Sequence, residues 1–501
     1  MVNTRKRMAA MRQAGYGSNG TVVAARVQGA QPANPACVIG ADQRCTHTLV
    51  DGELNRCLND YEARVRARFS AIVPVLRQIS AQEHAEDFVL RAQGLSRQHL
   101  GYELPMAQLE NAWVSGLDMS ALYSEAIFRS FSECIARTDA DQAPWRERLR
   151  LDADFFRACG YHTIDITPCA DGRLQGLLPF VLRIAPDDMV SVKAYAGAVL
   201  DVETDMADWT QRELERLSGA MSGYESCNYL KIAVYHYSSS GPCDQGCAAH
   251  GSNDLKAVSS ALGRLNELRA AIENTFGTGA APDVLLIGMD TDIDSIRIHA
   301  PDAQGNIATA RYLDNVSIYH DTLGLNAATA RAHIAAAVAA SGCTSGMQNL
   351  ITHLLEANLS QIEYVIQHHD GRYAVIGHDE NFIVAGEAVC PMQLRNMYYF
   401  AHLDTLEEGA PDMDVGIKIF TGLNLRRGLA VPVLVHFRYN ARVPGSRERA
   451  VARCQRVARA IETRYADLAA RGMIHCRMAV TDIHGTENAA LIAAEAVVEG
   501  H

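Results

Sequence analysis

Two stretches of this chain repeat one order of segments: an apolar run, a long amphipathic segment and a second apolar run. In the first stretch, the apolar runs Tyr229–Tyr237 and Val284–Met289 flank a helical pattern at 254–276. Short apolar runs joined by one amphipathic helix are typical of βαβ units, whose strands are buried in a largely parallel sheet. Because His162–Thr167 also has the pattern of a strand, we predict an α/β domain over residues 149–385.

The same order recurs about 190–200 residues further along the chain, in Val431–Phe437, 446–469 and Ile474–Val480. The constant offset favours a second α/β unit, over residues 386–501, that is a degenerate copy of the first. A chance agreement is the alternative, because βαβ units have similar lengths.

Upstream of these units, residues 46–148 have a helical period. Apolar residues between Tyr61 and Leu76 recur at the spacing of one helix face, and Asp118 is a candidate N-cap of a later helix. The segment has no cluster of catalytic residue types, so we expect a helical scaffold or oligomerisation domain. The fold class predicted for the whole chain is therefore multidomain α + α/β.

Residues 1–45 differ from the rest of the chain. They are basic, hold no acidic residue before Asp42 and have no sustained period, which predicts a disordered basic tail. The tail is either a solubilising terminus or an arm that docks on an acidic protein surface. Its segment Gly15–Gly20 fits the GxGxxG pattern, but no strand or helix pattern flanks it, so we expect no dinucleotide cofactor site.

The charge and composition of the chain exclude several classes of protein. The chain has 58 Asp and Glu residues against 46 Lys and Arg residues, a net charge of −12, which disfavours nucleic acid and anionic membranes as partners. No run reaches the roughly 18 apolar residues of a spanning helix, and no apolar segment of a signal peptide follows the N-terminal charges. The 13 cysteines are then expected to be reduced thiols or metal ligands, in a soluble cytosolic protein.

Three residues have the chemistry and the placement of metal ligands. Cys169 follows the first predicted strand, His236 lies near the end of the next one, and Cys247 precedes the predicted helix. Strand ends and helix starts are where an α/β sheet gathers its ligand-binding groups. Two thiolates and one imidazole suit Zn²⁺, and three protein ligands leave a fourth position for water. The sequence therefore suggests a catalytic zinc site.

Asp171 and Arg173 lie directly beyond the first of these ligands. The Asp171 carboxylate could accept a hydrogen bond from water on the metal, or it could bind the metal and block the site. The Arg173 guanidinium is placed to hold that carboxylate away from the metal in a bidentate pair. The same residues also form an ordinary turn sequence, which is the structural alternative.

The cysteines allow other interpretations. A lone cysteine is usually a small buried hydrophobe. Cys243, Cys247 and His250 form a tighter rival cluster, which would become a structural zinc site if a fourth ligand completed it.

Two further groups of residues suggest chemistry less strongly. Asp290, Asp292 and Asp294 suggest a divalent cation, but the glycine and glutamate of an EF-hand are missing, so the end of a strand or helix is the better interpretation. The pair at 368–369 and His378 could assist proton transfer, although histidines on a polar segment are commonly solvated.

The order Cys-x-Asp-x-Arg, then His, then Cys resembles the β-class carbonic anhydrases. Their usual spacing is His-x2-Cys, whereas ten residues separate His236 from Cys247 here. This departure makes the chain similar to one divergent subgroup, the carboxysomal shell carbonic anhydrases, once called the ε class. The segments that carry the resemblance include DITPCADGRL, YLKIAVYHYSS, GCAAHGS, DVLLIGMDTDID and MYYFAHLDTLEEGA. It runs from about residue 34 to the C-terminus.

The resemblance implies one Zn²⁺ per chain, with an Asp171–Arg173 dyad beside the metal and a supporting role for His378. The implied ligands are Cys169, His236 and Cys247. It also implies that the helical region precedes a β-carbonic-anhydrase-like catalytic domain and a metal-free copy of that domain.

In the metal-free copy, Leu406–Gly409 is expected where the catalytic unit has Cys-Ala-Asp-Gly, and His436 is expected near the place of His236. The copy has no matching second cysteine, so the chain would resemble a dimer with one inactive half. Two such chains are expected to associate.

The implied reaction is CO₂ + H₂O ⇌ HCO₃⁻ + H⁺, run inside a carboxysome so that bicarbonate supplies CO₂ to Rubisco. The expected partners are Rubisco, shell proteins or both, reached through the tail at 1–45, in a homodimer or higher homo-oligomer at the inner face of the shell. The alternatives are a zinc hydrolase acting on a larger substrate and a structural zinc-binding shell protein without catalysis.

Overall fold

The computed structural model describes residues 46–149, 152–185, 189–239, 245–389, 392–483 and 490–492. The predicted tail at 1–45 and Cys243 of the rival zinc cluster lie outside the described residues. Within them, a helical region precedes two separate sheets of mainly parallel strands. The prediction of a multidomain chain of mixed α and α/β structure is confirmed at this level.

The first part of the chain is helical, as predicted. The carboxylate of Asp118 accepts a hydrogen bond from the backbone N–H of Ala121 and so caps a helix, also as predicted. The apolar face from Tyr61 to Leu76 is divided between two consecutive helices. The helices are α1 Gly52–Ser70, α2 Ile72–Ser80, α3 Phe88–His99, α4 Met106–Glu110, α5 Ala112–Ser115, α6 Met119–Ala136, α7 Thr138–Arg146 and α8 Ala153–Ala158.

The first sheet is built from β1 Tyr161–Pro168, β2 Val190–Val192, β3 Asn228–Tyr237, β4 Asp283–Asp290, β5 Ser295–His299 and β6 Leu313–Asp314. Its order is β2-β1-β3-β4-β5-β6. The strands β2, β1, β3 and β4 run parallel to one another, β5 pairs antiparallel with β4, and β6 pairs antiparallel with β5. The helices of this part are α9 Val202–Leu217, α10 Asp254–Phe276, α11 Asn315–Thr322, α12 Ala327–Ala339 and α13 Ser345–His368.

The predicted βαβ unit is confirmed as β3, α10 and β4. Each strand is almost wholly buried, which agrees with their continuous apolar runs. Helix α10 begins after Asn253, whose side chain accepts a hydrogen bond from the N–H of Lys256.

The second sheet is built from β7 Phe382–Gly386, β8 Tyr398–His402, β9 Val431–Tyr439, β10 Ile474–Asp482 and β11 Ala490–Leu491. Its order is β11-β10-β9-β7-β8, and all pairs are parallel except β10 with β11. Its helices are α14 Leu406–Leu423, α15 Ser446–Arg464 and α16 Ala466–Ala470. The strands and helix predicted for this part are therefore present, with the helix divided in two. In the first half, Cys-Ala-Asp-Gly directly follows a strand, and we expected Leu406–Gly409 at the corresponding place after β7. Leu406–Gly409 instead begins α14.

The two sheets meet along the free edge of β8. The N–H of Phe400 donates to the carbonyl of Ala170 at 3.1 Å, and the N–H of His402 donates to the carbonyl of Ala194 at 2.9 Å. The edge strand of the second sheet is thus covered by loops that follow β1 and β2 of the first. This contact brings the second half of the chain to the carboxyl ends of β1 and β2.

The N-terminal helices pack on the second sheet. The rings of Phe69 in α1 and Phe131 in α6 lie 6.1 Å and 5.8 Å from the ring of Phe382 in β7. Buried residues of these helices and of the second sheet form one continuous apolar core, whereas the first sheet has another. In the part of the chain that the structure describes, no helix has the length and apolar character needed to cross a membrane.

Candidate metal centre

The three predicted metal ligands meet at the carboxyl ends of two neighbouring strands. Cys169 follows β1, His236 lies near the end of β3, and Cys247 precedes the short helix Ala248–His250. One ligand atom of each lies within 4.8 Å of the others, the two sulfur atoms are 3.9 Å apart, and all three side chains are buried. The parallel pairing of β1 and β3 therefore brings together residues that are far apart in sequence.

The imidazole of His236 has no hydrogen-bond partner on either ring nitrogen among the described residues. A fully buried polar group without a partner is costly, and such groups are rare unless something binds there. Two sulfur atoms and a free imidazole nitrogen are donors that Zn²⁺ prefers. The three residues thus fit the metal that the sequence predicts.

The two thiols differ in acidity. The hydrogen bond to Cys247, together with burial, raises the pKa of Cys169 well above its usual value. The same hydrogen bond lowers the pKa of Cys247, against the effect of burial. The N–H of Gly197 also donates to the sulfur of Cys169, at 3.2 Å. A cation bound between the two sulfurs would favour both thiolates.

Asp171 and Arg173 form the bidentate pair that the sequence predicts. The Arg173 Nε donates to Asp171 Oδ1 at 2.9 Å and Nη2 donates to Oδ2 at 2.6 Å, and both side chains are buried. Burial alone would raise the pKa of Asp171, but Arg173, His378 and His236 hold it well below its usual range. The carboxylate is therefore an anion, and its Oδ2 lies 3.4 Å from the His236 Nε2.

The guanidinium of Arg173 also fixes two neighbouring segments. It donates from Nη1 to the carbonyl of Gln245 at 2.6 Å and to that of Ile376 at 3.2 Å, and from Nη2 to that of Gly246 at 3.3 Å. Gln245 and Gly246 directly precede Cys247. One side chain thus orients the Asp171 carboxylate and anchors the loop of the last sulfur ligand.

His378 lies beside this dyad, and Glu380 supports it. The His378 Nε2 is 3.8 Å from Asp171 Oδ2, and its Nδ1 donates to Glu380 Oε1 at 2.8 Å. Glu380 Oε1 also accepts from the N–H of Gly172 at 3.1 Å, and a Cβ on this glycine would stand 2.3 Å from the Glu380 side chain. Burial opposes protonation of His378, but Asp171 and Glu380 raise its pKa to about 9. Sequence reasoning missed Glu380, because a carboxylate two residues after a histidine has no distinctive pattern.

A small pocket opens beside Cys169 and Asp171, and both halves of the chain contribute to its wall. Its apolar lining consists of Ala196, Ala248, Ala249, Tyr399, Val415 and Ile419. The last three belong to β8 and α14 of the second half. No local pattern in the sequence predicted this, because the contact depends on how the two sheets pack.

Comparison with known proteins identifies the family. Residues 47–139, 151–378 and 379–496 match the N-terminal, catalytic and C-terminal family models of carboxysome shell carbonic anhydrase. The carboxysome shell carbonic anhydrase of Halothiobacillus neapolitanus is 41% identical over 462 residues, which cover 89% of this chain and 90% of that protein. That of Prochlorococcus marinus strain MIT 9313 is 43% identical over 445 residues, or 87% and 86% of the two chains.

The chain belongs to the carboxysome shell carbonic anhydrase family. This membership confirms the predicted family, the enzyme class of carbonic anhydrase and the carboxysome as its location.

Other candidate residues are not among the three converging side chains. His250 Nε2 donates to the carbonyl of Gly197 at 3.1 Å. Asp290 accepts hydrogen bonds from the N–H groups of Ser239 and Asp292 at a strand end, and His369 packs against Tyr373. Among the described residues, the clusters whose possible ligand atoms lie close together are Cys169 with His236 and Cys247, and Asp171 with His378 and Glu380.

Proposed function

We propose that this chain interconverts CO₂ and bicarbonate at one Zn²⁺ bound by Cys169, His236 and Cys247. The observation that carries the proposal is the buried convergence of these three side chains, with an imidazole that makes no hydrogen bond to the described residues, beside a carboxylate that is already paired. Three ligands leave a position open for the reacting water, as a catalytic zinc site requires. When bound, Zn²⁺ supplies a Lewis acid that makes water a nucleophile near neutral pH.

The Asp171–Arg173 pair would orient the reacting water. Arg173 donates to Oδ1 of Asp171 from both its backbone N–H and its Nε, and to Oδ2 from Nη2 alone, so Oδ2 retains a lone pair that can accept a hydrogen bond from the reacting water. That bond would aim the water oxygen at the carbon of CO₂. The Arg173 pair also keeps the carboxylate from turning onto the metal.

The apolar wall would hold CO₂ next to this water. CO₂ has no net charge and needs no ion pair, and the side chains of Tyr399, Val415 and Ile419 reduce the number of competing water molecules. The proton released in hydration would leave to solvent. His378, whose ring Glu380 orients and whose pKa is raised to about 9, would hold a positive charge beside Asp171 and would not accept that proton at neutral pH. In the carboxysome, the reverse direction would supply CO₂ to Rubisco.

The second half of the chain is, in this proposal, a degenerate copy of a β-carbonic-anhydrase-like catalytic half. Strands β8, β7, β9, β10 and β11 correspond in order and direction to β2, β1, β3, β4 and β5. Glu387 and Cys169 occupy equivalent positions in the two sheets. The N–H of Glu387 donates to a backbone carbonyl of β9 at 2.8 Å, and the N–H of Cys169 donates to a backbone carbonyl of β3 at 3.2 Å. By this register Glu387 takes the place of Cys169, and Arg438, not His436, takes that of His236, which replaces a sulfur donor by a carboxylate and removes the imidazole donor.

We also propose the division of the chain into a tail at 1–45, a helical part at 46–148, a catalytic part at 149–385 and a metal-free part at 386–501. The tail would contact Rubisco, shell proteins or both at the inner face of the shell, because a basic segment suits docking on an acidic protein surface. The chain would associate with itself as a homodimer or a higher homo-oligomer.

The first experiment measures zinc per chain and the rate of CO₂ hydration, on the wild type and on single variants. We expect one zinc and rapid hydration in the wild type, and the loss of both in Cys169→Ala and in Cys247→Ser. The matched control is Cys243→Ser, which should keep both properties. Zinc retained in Cys169→Ala but lost in Cys243→Ser would overturn the ligand set and favour a structural zinc site. Full zinc without hydration in the wild type would overturn the catalytic role.

A further inference from the structure

The loop between β2 and α9 supplies a hydrogen bond to a proposed metal ligand. Tyr195 pairs with Cys169 as an isolated β-bridge, and the short helix Ala196–Ala198 follows it. Within that helix, the N–H of Gly197 donates to the sulfur of Cys169 at 3.2 Å. Gly197 has a positive φ of 73° and a Cβ there would stand 2.5 Å from the ring of His250, so only glycine fits this position of the loop. The position of this loop therefore determines whether the sulfur keeps its N–H donor.

The end of that loop is held by the second half of the chain. The Oδ1 atom of Asp412, in α14, accepts a hydrogen bond from the N–H of Ala196 at 2.5 Å. A carboxylate that accepts from a backbone N–H makes a stronger hydrogen bond than a neutral acceptor does. Ala196 directly precedes Gly197 in the chain. The carboxylate of Asp412 and the sulfur of Cys169 therefore accept hydrogen bonds from consecutive backbone N–H groups.

Helix α14 is itself fixed against the pocket. Asp412, Val415 and Ile419 are spaced along one face of the helix, and the latter two line the pocket beside Cys169. The hydroxyl of Tyr399, another lining residue, donates to the carbonyl of Asp412 at 2.9 Å. The carboxylate is thus presented to the loop by a helix with a well-defined position.

We propose that Asp412 is a positioning residue of the metal centre: by holding Ala196, it keeps the Gly197 N–H on the sulfur of Cys169 and so strengthens metal binding in the other half of the chain. The proposal rests on the proposed function, in which Cys169 is a zinc ligand. Groups that orient a metal ligand through hydrogen bonds typically change metal affinity by about 10–100-fold when they are removed. The metal-free half would then serve the reaction through a single carboxylate as well as through the pocket wall.

The same helix provides a matched control. Asp414, two residues further on, is exposed and pairs with Arg464 and Tyr465 of the second half. Replacing it removes the same chemical group from the same helix without touching the loop at Ala196. Asp412→Asn is the conservative variant, because its amide oxygen can still accept from the N–H of Ala196, though without a negative charge.

The test measures the affinity of the full-length chain for Zn²⁺ by competition with a chelator, in the wild type, Asp412→Ala, Asp412→Asn and Asp414→Ala. We expect a loss of about 10–100-fold in Asp412→Ala, a smaller loss in Asp412→Asn and none in Asp414→Ala. The Co²⁺-loaded proteins are compared by absorption, because the thiolate-to-cobalt band should shift in Asp412→Ala and not in Asp414→Ala. Thermal unfolding of each metal-free protein identifies any variant that has lost its fold.

The outcomes separate this inference from the proposed function. A wild type that binds no zinc overturns the proposed function. A wild type that binds zinc, with the same affinity and the same cobalt spectrum in folded Asp412→Ala, overturns the role of Asp412 alone. Equal losses in Asp412→Ala and Asp414→Ala would also overturn it, because the effect would then belong to the helix as a whole.

Discussion

At the scale of single residues, His378 is held between two carboxylates. Its Nδ1 faces Glu380 at 2.8 Å and its Nε2 faces Asp171 at 3.8 Å, while Arg173 opposes its protonation. The pKa of His378 rises to about 9, because the two anions outweigh burial and the guanidinium. A carboxylate that accepts from one ring nitrogen also fixes the direction of the other, so Glu380 orients the imidazole towards Asp171.

This arrangement predicts a pH dependence of stability in the metal-free chain. The pKa of His378 is about 9 in the folded chain and about 6.5 in the unfolded chain. Since the folded value is the higher one, His378 stabilises the fold fully below pH 6.5, and this contribution is lost as the pH rises to about 9. NMR titration of the labelled histidine should give the raised pKa, and Glu380→Gln should lower it. A wild-type pKa near 6.5 would contradict the prediction.

The convergence of Cys169 with His236 and the Asp171–Arg173 pair could be predicted from the sequence, because these residues lie at or just beyond the ends of recognisable strands. Cys169 and His236 lie at the ends of apolar runs, and the parallel order of those runs brings such ends together. Glu380 and Asp412 could not be predicted in this way. Asp412 reaches the site across the contact between the two halves, Glu380 reaches it from the segment that joins them, and neither has a local pattern that distinguishes it from a surface acid.

At the scale of elements, a group of buried charges joins β1, β3 and the segment that follows β2. Asp165 accepts from Lys231 at 2.7 Å and from Lys193 at 3.2 Å, and both lysines also pair with Asp205. All four side chains are buried. Lys193 lies two residues before Tyr195, which pairs with Cys169. The group thus fixes the start of the loop that contacts the metal centre.

Removing one charge from this group should be strongly destabilising. Asp165→Asn leaves two buried ammonium groups with a single remaining buried carboxylate, and breaking a buried ion pair typically costs about 3–5 kcal/mol. Urea unfolding of the metal-free chain measures the loss. The exposed pair of Asp414 and Arg464 gives the control, because Asp414→Asn should change the free energy of unfolding little. Similar small changes in both variants would show that the buried group is not needed for stability.

A long amphipathic helix could be predicted from the sequence, whereas a very short strand and a mostly buried helix could not. The pattern at 254–276 matches α10, because a long amphipathic helix with a capping residue is a strong local signal. Strand β2 has three residues, too few to show a period of two. Helix α13 was also missed. It is buried on most of its surface from Leu350 to Val365, so it lacks a clear polar face.

At the scale of the whole molecule, the N-terminal helices complete the second half of the chain. Phe69 and Phe131 of these helices pack into the core of the second sheet. The N-terminal helices therefore share one apolar core with the second sheet and do not form a separate core of their own. The second sheet in turn lends β8 and α14 to the pocket beside Cys169. In the proposed function, the second half would be retained as a metal-free copy because the pocket wall is incomplete without it.

The basic tail at 1–45 has a different predicted role, which can be tested apart from catalysis. Every described residue of the metal group, the dyad and the pocket wall lies between residues 169 and 419, so deletion of 1–45 should leave zinc content and CO₂ hydration in solution unchanged. Incorporation into carboxysomes should fall, because a basic segment on a chain of net charge −12 suits an acidic partner. A variant with glutamine in place of Arg5, Lys6, Arg7 and Arg12 keeps the length and removes charge. The measurement is the amount of enzyme in purified carboxysomes. Undiminished incorporation of both variants would exclude docking through the tail. A loss of incorporation in the deletion alone would mean that the tail docks through contacts other than charge.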